Sequence, residues 1–461
     1  MTAAPAARRV VLTLALCAAS VSAQTPEGGA GEHDRFQLSF RAESYVSLFR
    51  RALLPGPDGA VVSTETLLPI QQYVDFRANG LDLPLAEDNL DIEASGWARA
   101  YVARGQVDQV LDGDVQTASV RYRLPGISLR LGRQLAAGGA ARFTRFDGAA
   151  LALGLPAGLF VEGYAGFTVL PRWDQRPGYY QLGSAADSLL RDPEALPDPE
   201  RSGDWLAGGR LGYRSERVSA SASLHEQREH GDLGRRNLGL DARGSPAEKL
   251  SLSGSTLLDI DGERVTDLRL LAAATPHDAV DVSVDYLHAV PALYLSRQSV
   301  LSVFSTDAFD EAGGSAELRV TDRASLEAGG WLIVYKRGEH PGGRSETTLR
   351  LVPGPGRRTL VRLGYTRLIG PDSGYHSLRA SLSRRWLASL LGTLEAYYYL
   401  YDTEIEGRNT SSFYAGSLSY EPLPALELLL GASLASTPYA RADASTLLRV
   451  GYSFDRERER P

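Results

Sequence analysis

Sulfur is almost missing from this 461-residue sequence: one Cys, at position 17, and one Met, at position 1. That inventory excludes a disulfide framework, a zinc–thiolate or iron–sulfur site, c-type haem attachment and a cysteine nucleophile. Lysine is nearly absent as well, at Lys249 and Lys336 only, so arginine carries almost all the positive charge. With a formal net charge of −7 and a pI near 5.7, nucleic acid is not an expected partner. Long apolar runs are also lacking. No segment after residue 23 offers the roughly 20 uninterrupted apolar residues that a transmembrane helix needs. The nearest approach, 148–161, is broken by Pro156 and several glycines and then meets Glu162. It reads as two strands joined by a tight turn at Leu155-Pro156-Ala157.

What is present begins with an address. Arg8 and Arg9 precede an apolar run from Val10 to Ala19, and Val21-Ser22-Ala23 gives the small-residue pattern before a cut at Gln24. Residues 1–23 therefore read as a signal peptide. Leu16 before Cys17 does not fit a lipid-attachment box. Removing two arginines and no acid takes the formal charge from −7 to −9.

Period two runs through the rest of the chain. Phe36, Leu38, Phe40 and Ala42 alternate with Gln37, Ser39, Arg41 and Glu43. Val218, Ala220, Ala222 and Leu224 alternate with Ser219, Ser221, Ser223 and His225. The same holds for Val280 to Tyr286, Leu378 to Ser383 and Leu448 to Phe454. Alternation at 180° per residue means strands with one apolar and one polar face. A soluble sandwich would show the same local pattern, so the connections have to discriminate.

From about Asp204 onward, short turns and longer links alternate. Short ones fall near 215–217, 245–246, 276–278, 321–323, 354–356, 386–387 and 422–424. Longer or more polar ones fall near His230, 261–262, 289–309, 338–344, 371–374, 404–409 and 438–443. Tight turns on one rim and longer loops on the other are the signature of an outer-membrane barrel. The fold class expected is all-β: a single closed antiparallel transmembrane β-barrel of 18–22 strands with no plug domain. A short periplasmic segment at 24–35 precedes the barrel at 36–454, and a charged tail follows at 455–461. No 20-to-50-residue repeat points to a propeller. The expected location is the outer membrane of a Gram-negative bacterium, with its lipid and the barrel-assembly machinery as partners. Tyr397, Tyr398, Tyr399, Tyr401, Tyr420 and Trp205 suit interfacial girdles.

If the apolar face meets lipid, the polar face lines a lumen. Pore-lining candidates are Arg121, Arg123, Arg130, Arg210, Arg269, Arg319, Arg350, Arg362, Arg379 and Arg449, with Asp281, Asp285, Glu317 and Glu395 among the acids. Glu93, Asp267, Glu327 and Glu346 share that orientation. Arginine's planar fork suits carboxylate, phosphate and sugar hydroxyls, so one reading is an electropositive guide for anionic or polyhydroxylated solutes. The other is a mutual Arg–carboxylate ladder that stiffens the wall. A barrel this wide is usually occluded, and loops 171–203 and 289–309 are long enough to fold inward.

Two stretches resemble known families. Val450-x-Tyr452-x-Phe454 resembles the terminal aromatic signal of outer-membrane barrels. Leu129-Arg130-Leu131-Gly132-Arg133-Gln134, a short polar link, and Arg145-Phe146-Asp147-Gly148 resemble the strand–loop–strand of alginate-export and related porins. That resemblance implies a loop-gated barrel passing a polysaccharide, with Arg130 and Arg133 near the pore, although parity sets Arg133 on the lipid side. The chain is also similar to barrels that work beside a separate polysaccharide-export lipoprotein.

Catalytic groups are sparse, and no enzyme activity or cofactor is expected. The seven His show no metal-binding spacing, and His376-Ser377, similar to the adjacent pair of a membrane phospholipase, point to opposite faces. Asp259-Ile260-Asp261-Gly262 is either a tight hairpin turn or a calcium loop. The expected function is an outer-membrane channel that passes or helps export a polysaccharide. A general diffusion porin and a structural or adhesive surface barrel are the alternatives.

Overall fold

The computed structural model describes residues 35–459, apart from links at 54–62, 84–85, 104–110, 170–203, 230, 291–307, 337–340, 355, 357, 371–373, 406 and 439–441. The expected signal peptide, nearly all of segment 24–35, loop 171–203 and most of loop 289–309 lie outside the described residues.

The strands are β1 (Arg35–Leu53), β2 (Ser63–Leu83), β3 (Ala86–Ala103), β4 (Leu111–Leu124), β5 (Ile127–Gly138) and β6 (Arg142–Gly154). Next come β7 (Leu159–Thr168), β8 (Trp205–Arg214), β9 (Val218–Glu229), β10 (Asp232–Ala247) and β11 (Leu250–Asp259). Then follow β12 (Arg264–His277), β13 (Val280–Ala289), β14 (Phe309–Thr321), β15 (Ala324–Tyr335) and β16 (Gly342–Leu351). The chain ends with β17 (Thr359–Ile369), β18 (Tyr375–Leu387), β19 (Leu390–Ile405), β20 (Arg408–Leu423), β21 (Leu426–Ser436) and β22 (Asp443–Glu459).

Each strand pairs antiparallel with the next, and β22 pairs with β1 from Arg35↔Glu459 to Leu48↔Thr446. The 22-stranded sheet is thus a closed ring. Closure is what hydrocarbon demands, because an unpaired edge there leaves backbone groups with no partner, at several kcal/mol each. The last strand runs further than its sequence suggests. Asp455 and Arg456 pair with Ser39 and Leu38, so most of the expected charged tail is part of β22. Its charges hid an extension that the long β1 supports.

Alternation sets the two faces. On β19 and β21, Leu394 is 60% exposed and Leu430 58% exposed on the outside, while their neighbours Glu395 and Leu429 point into the ring. Rings mark both ends of the apolar band: Phe143, Phe167 and Trp205 at one rim, Tyr213, Trp386, Tyr420 and Tyr452 at the other. Trp205 and Tyr213 are eight residues apart on β8, which is about 26 Å along a strand and about 20 Å of height at a tilt near 40°. An apolar band of that height around a closed, polar-lined ring places the chain in the outer membrane.

Links fall on alternate rims as expected from Asp204 onward, though those at 230–231 and 406–407 tighten to two residues. The 148–161 stretch is two strands, with a 3-10 turn at Pro156–Gly158 between them. At the hairpin after β11, the Asp259 carboxylate accepts the Gly262 N–H at 3.2 Å and Arg264 at 3.3 Å. Among the described residues no cluster of metal-ligating side chains occurs.

The expected aromatic girdle needs one correction. Tyr398, Tyr420 and Trp205 do face outward. Tyr397, Tyr399 and Tyr401 share the opposite face and pack inside the ring: Tyr397 against Phe413 (5.7 Å between centroids) and Tyr399 against Tyr375 (5.6 Å). In a run of consecutive tyrosines, parity decides which face each ring takes.

Candidate functional site

The register carries one side chain from each strand onto the inner wall, and every candidate pore-lining residue lies on that wall. A single row reads Arg319, Ser325, Arg350, Arg362, Ser381 and Glu395 from β14 to β19. Another reads Asp91, Arg121 and Arg130 from β3 to β5.

Most of these arginines meet a carboxylate. Arg123 reaches Asp91 at 2.7 Å, Arg269 reaches Asp267 at 3.3 Å, Arg379 reaches Glu395 at 3.4 Å and Arg449 reaches Glu427 at 2.5 Å. Arg130 pairs with Glu93, and Arg319 with Asp281. Arg210 donates to the Ser221 hydroxyl at 2.9 Å, with Glu162 at 4.0 Å. Asp285 accepts the indole N–H of Trp331 at 2.8 Å. The ladder reading therefore describes much of the wall. Among the described residues Arg121 forms no such ion pair, and Arg350 and Arg362 depart from the ladder as a pair. They sit directly opposite each other across β16 and β17, and among the described residues neither has a carboxylate within ion-pair distance.

Arg133 corrects what the porin resemblance implied. It shares the outward face with Leu129 and Leu131, and its guanidinium grips Asp147 on β6 with two bonds of 2.8 and 2.9 Å. It is a rim ion pair, whereas Arg130 of the same motif faces the inside of the ring.

The feature that sequence reasoning missed is the link between β5 and β6. Gly138 (φ 80), Gly139 (φ 54) and Arg142 (φ 57) take left-handed backbone conformations, and Gly139–Ala141 forms a short 3-10 turn. Glycine reaches that region without a Cβ clash. The turn folds into the lumen and packs on β9 and β10, three and four strands along the ring from β6. Ala140 donates its N–H to the Ser223 hydroxyl at 2.8 Å, and Ala140 and Ala141 are buried. A Cβ on Gly239 would come within 2.5 Å of the Ala140 nitrogen, so only glycine there admits the turn. Beside it, Arg142 bridges to the fully buried Asp267 on β12 at 2.8 Å, and Arg235 donates to the Thr144 hydroxyl at 2.6 Å.

The result is a shelf on the inner wall. In that sector Phe146, Leu206, Gln134 and His225 are buried. His225 meets the Tyr164 hydroxyl at 2.9 Å, and the Tyr164 ring packs on Phe146. The signal in the sequence was Gly138-Gly139-Ala140-Ala141, two glycines and two small residues that can approach another backbone closely.

No protein-family model matches this sequence, and no curated protein matches it. Among solved structures it is similar to Pseudomonas aeruginosa OpdK with vanillate, at 12% identity and a TM-score of 0.42, over 91% of this chain and 99% of that one. It is similar to P. aeruginosa OccK9 (OpdG) at 13% identity and 0.43, over 91% and 98%. The PapC translocation pore of the P pilus usher gives 12% identity and 0.44, over 90% and 99%.

Proposed function

We propose that this barrel is a water-filled channel for small hydrophilic solutes, narrowed on one side by the β5–β6 shelf. One observation carries the reading: a ring of 22 strands with charged and hydroxyl side chains on its inner face. At a strand spacing of about 4.8 Å and a tilt near 40°, the backbone radius is about 22 Å, too wide for wall side chains to fill. The charged wall faces water, and the apolar wall faces lipid.

The general-porin alternative fits this arrangement better than polysaccharide export. Among the described residues the shelf is built from short side chains and ion pairs, and the Phe146 and Tyr164 rings beside it pack on each other rather than forming an extended track for sugar rings. The test is single-channel recording of the refolded 24–461 chain in planar bilayers, with liposome swelling in sugars and amino acids of increasing size. Open conductance with a small-solute size limit supports the reading. A silent barrel would return the chain to the structural or adhesive class.

A further inference from the structure

We propose that the row Ser325, Arg350, Arg362, Ser381 is a recognition subsite for the phosphate group of a small polyhydroxylated solute. The inference rests on the channel reading and names a substrate class for it.

Directly opposed side chains on antiparallel strands hold their Cβ atoms about 4.5–5.5 Å apart, and like charges so placed repel. The pair Arg350↔Arg362 is such a placement. Elsewhere on the wall the same problem is solved by a carboxylate, as in Arg130 with Glu93. Among the described residues this pair has no such partner, and both guanidiniums are exposed to the lumen. Two adjacent forks with a charge of about +2 complement a dianionic phosphate monoester, which carries about −1.5 to −2 near neutral pH. A monocarboxylate satisfies only half of that charge.

The neighbours supply the rest of the ligand. Ser325 stands opposite Arg350, and Ser381 opposite Arg362, so a hydroxyl flanks each end of the pair. One pleat further on, Glu317 and Glu327 face each other beside a recess of about 390 Å³. Those carboxylates accept hydrogen bonds from hydroxyl groups. They also repel a second anionic group, which favours one phosphate on a neutral polyol.

Binding and conduction are measured separately. Inorganic phosphate, glucose 6-phosphate and acetate are titrated against the refolded 24–461 chain in detergent and then added to open channels in chloride. Saturable binding of both phosphates, with current interruptions that acetate does not cause, is expected. Arg350→Gln or Arg362→Gln is expected to weaken phosphate binding about tenfold or more, as loss of a charged hydrogen-bond partner does. Arg449→Gln, on a paired arginine, should leave it unchanged. Lowering the pH from about 7.5 to about 5 protonates the phosphate (second pKa about 6) while both guanidiniums stay charged, so affinity should fall. Equal responses to phosphate and acetate, or unchanged binding in Arg362→Gln, would overturn the subsite. Phosphate binding without any open conductance would overturn the channel reading and leave the subsite standing.

Discussion

Gly239→Ala is the sharpest probe of the shelf. The added methyl would lie 2.5 Å from the Ala140 nitrogen, 2.7 Å from the Gly139 carbonyl carbon and 2.7 Å from the Ser223 hydroxyl. The first two are backbone atoms, so relief requires the turn to lift and surrender its bond to Ser223. Forcing a methylene into a packed contact costs about 1–3 kcal/mol, which lowers the docked-to-undocked ratio about 5- to 150-fold. The pairing of β10 with β9 and β11 is untouched, because Gly239 points into the lumen. With wall side chains about 7 Å deep, the free radius is about 15 Å and the open cross-section about 700 Å². The shelf spans a chord of about 18 Å and projects about 10 Å, which is near a quarter of that area. Single-channel conductance should therefore rise by about a third. The opposite lock is a double variant, Ala140→Cys with Ser223→Cys, in a chain whose only native cysteine lies in the expected signal peptide. Oxidised, it should hold the parental value. If Gly239→Ala and the oxidised double variant conduct alike, the shelf does not narrow the channel.

Arg142→Ala removes one of two partners of a buried carboxylate and leaves Arg269, so a loss of about 1–3 kcal/mol in stability is expected by urea titration in detergent. Asp267→Ala removes the carboxylate that Arg142 and Arg269 share while both guanidiniums still reach the lumen, and should cost a similar amount, about 1–3 kcal/mol, in the same titration. Leu394→Arg, on the lipid face, should destabilise the folded barrel by about 2–4 kcal/mol in vesicles. Thr393→Arg, one residue away on the lumen face, should cost far less; equal losses would contradict the assigned faces. Deleting 455–461 removes the pairs from Arg35↔Glu459 to Ser39↔Asp455 but keeps those from Phe40↔Phe454 to Leu48↔Thr446. That variant should still migrate as a compact, heat-modifiable band on gels and unfold at lower temperature.

The barrel wall was legible because strand parity is a local property. Leu224 and His225, or Leu394 and Glu395, declare their faces without knowledge of a partner strand. The pore-lining candidates followed from the same rule. The shelf was not legible, since its contacts join residue 140 to residues 223 and 239 on strands that only the closed ring brings near. A glycine at 239 looks like any other glycine until something is known to press against it. The pair Arg350 and Arg362 was visible as two arginines; that they lack a carboxylate partner among the described residues needed the register of four neighbouring strands. The charged end of β22 was misread because its pairing depends on how far β1 reaches, a fact stored at the other terminus.

The joint between β1 and β22 has a consequence for how the molecule comes to exist. Every other pairing joins strands adjacent in the sequence, so it can form as soon as both are made. This one joins residues ~400 positions apart, and the cylinder is a leaky, sticky ribbon until it forms. Losing the final strand would therefore do more than shorten the wall by one stave. It would leave two raw margins in oil, inviting capture by a neighbour or by the cell's proteases.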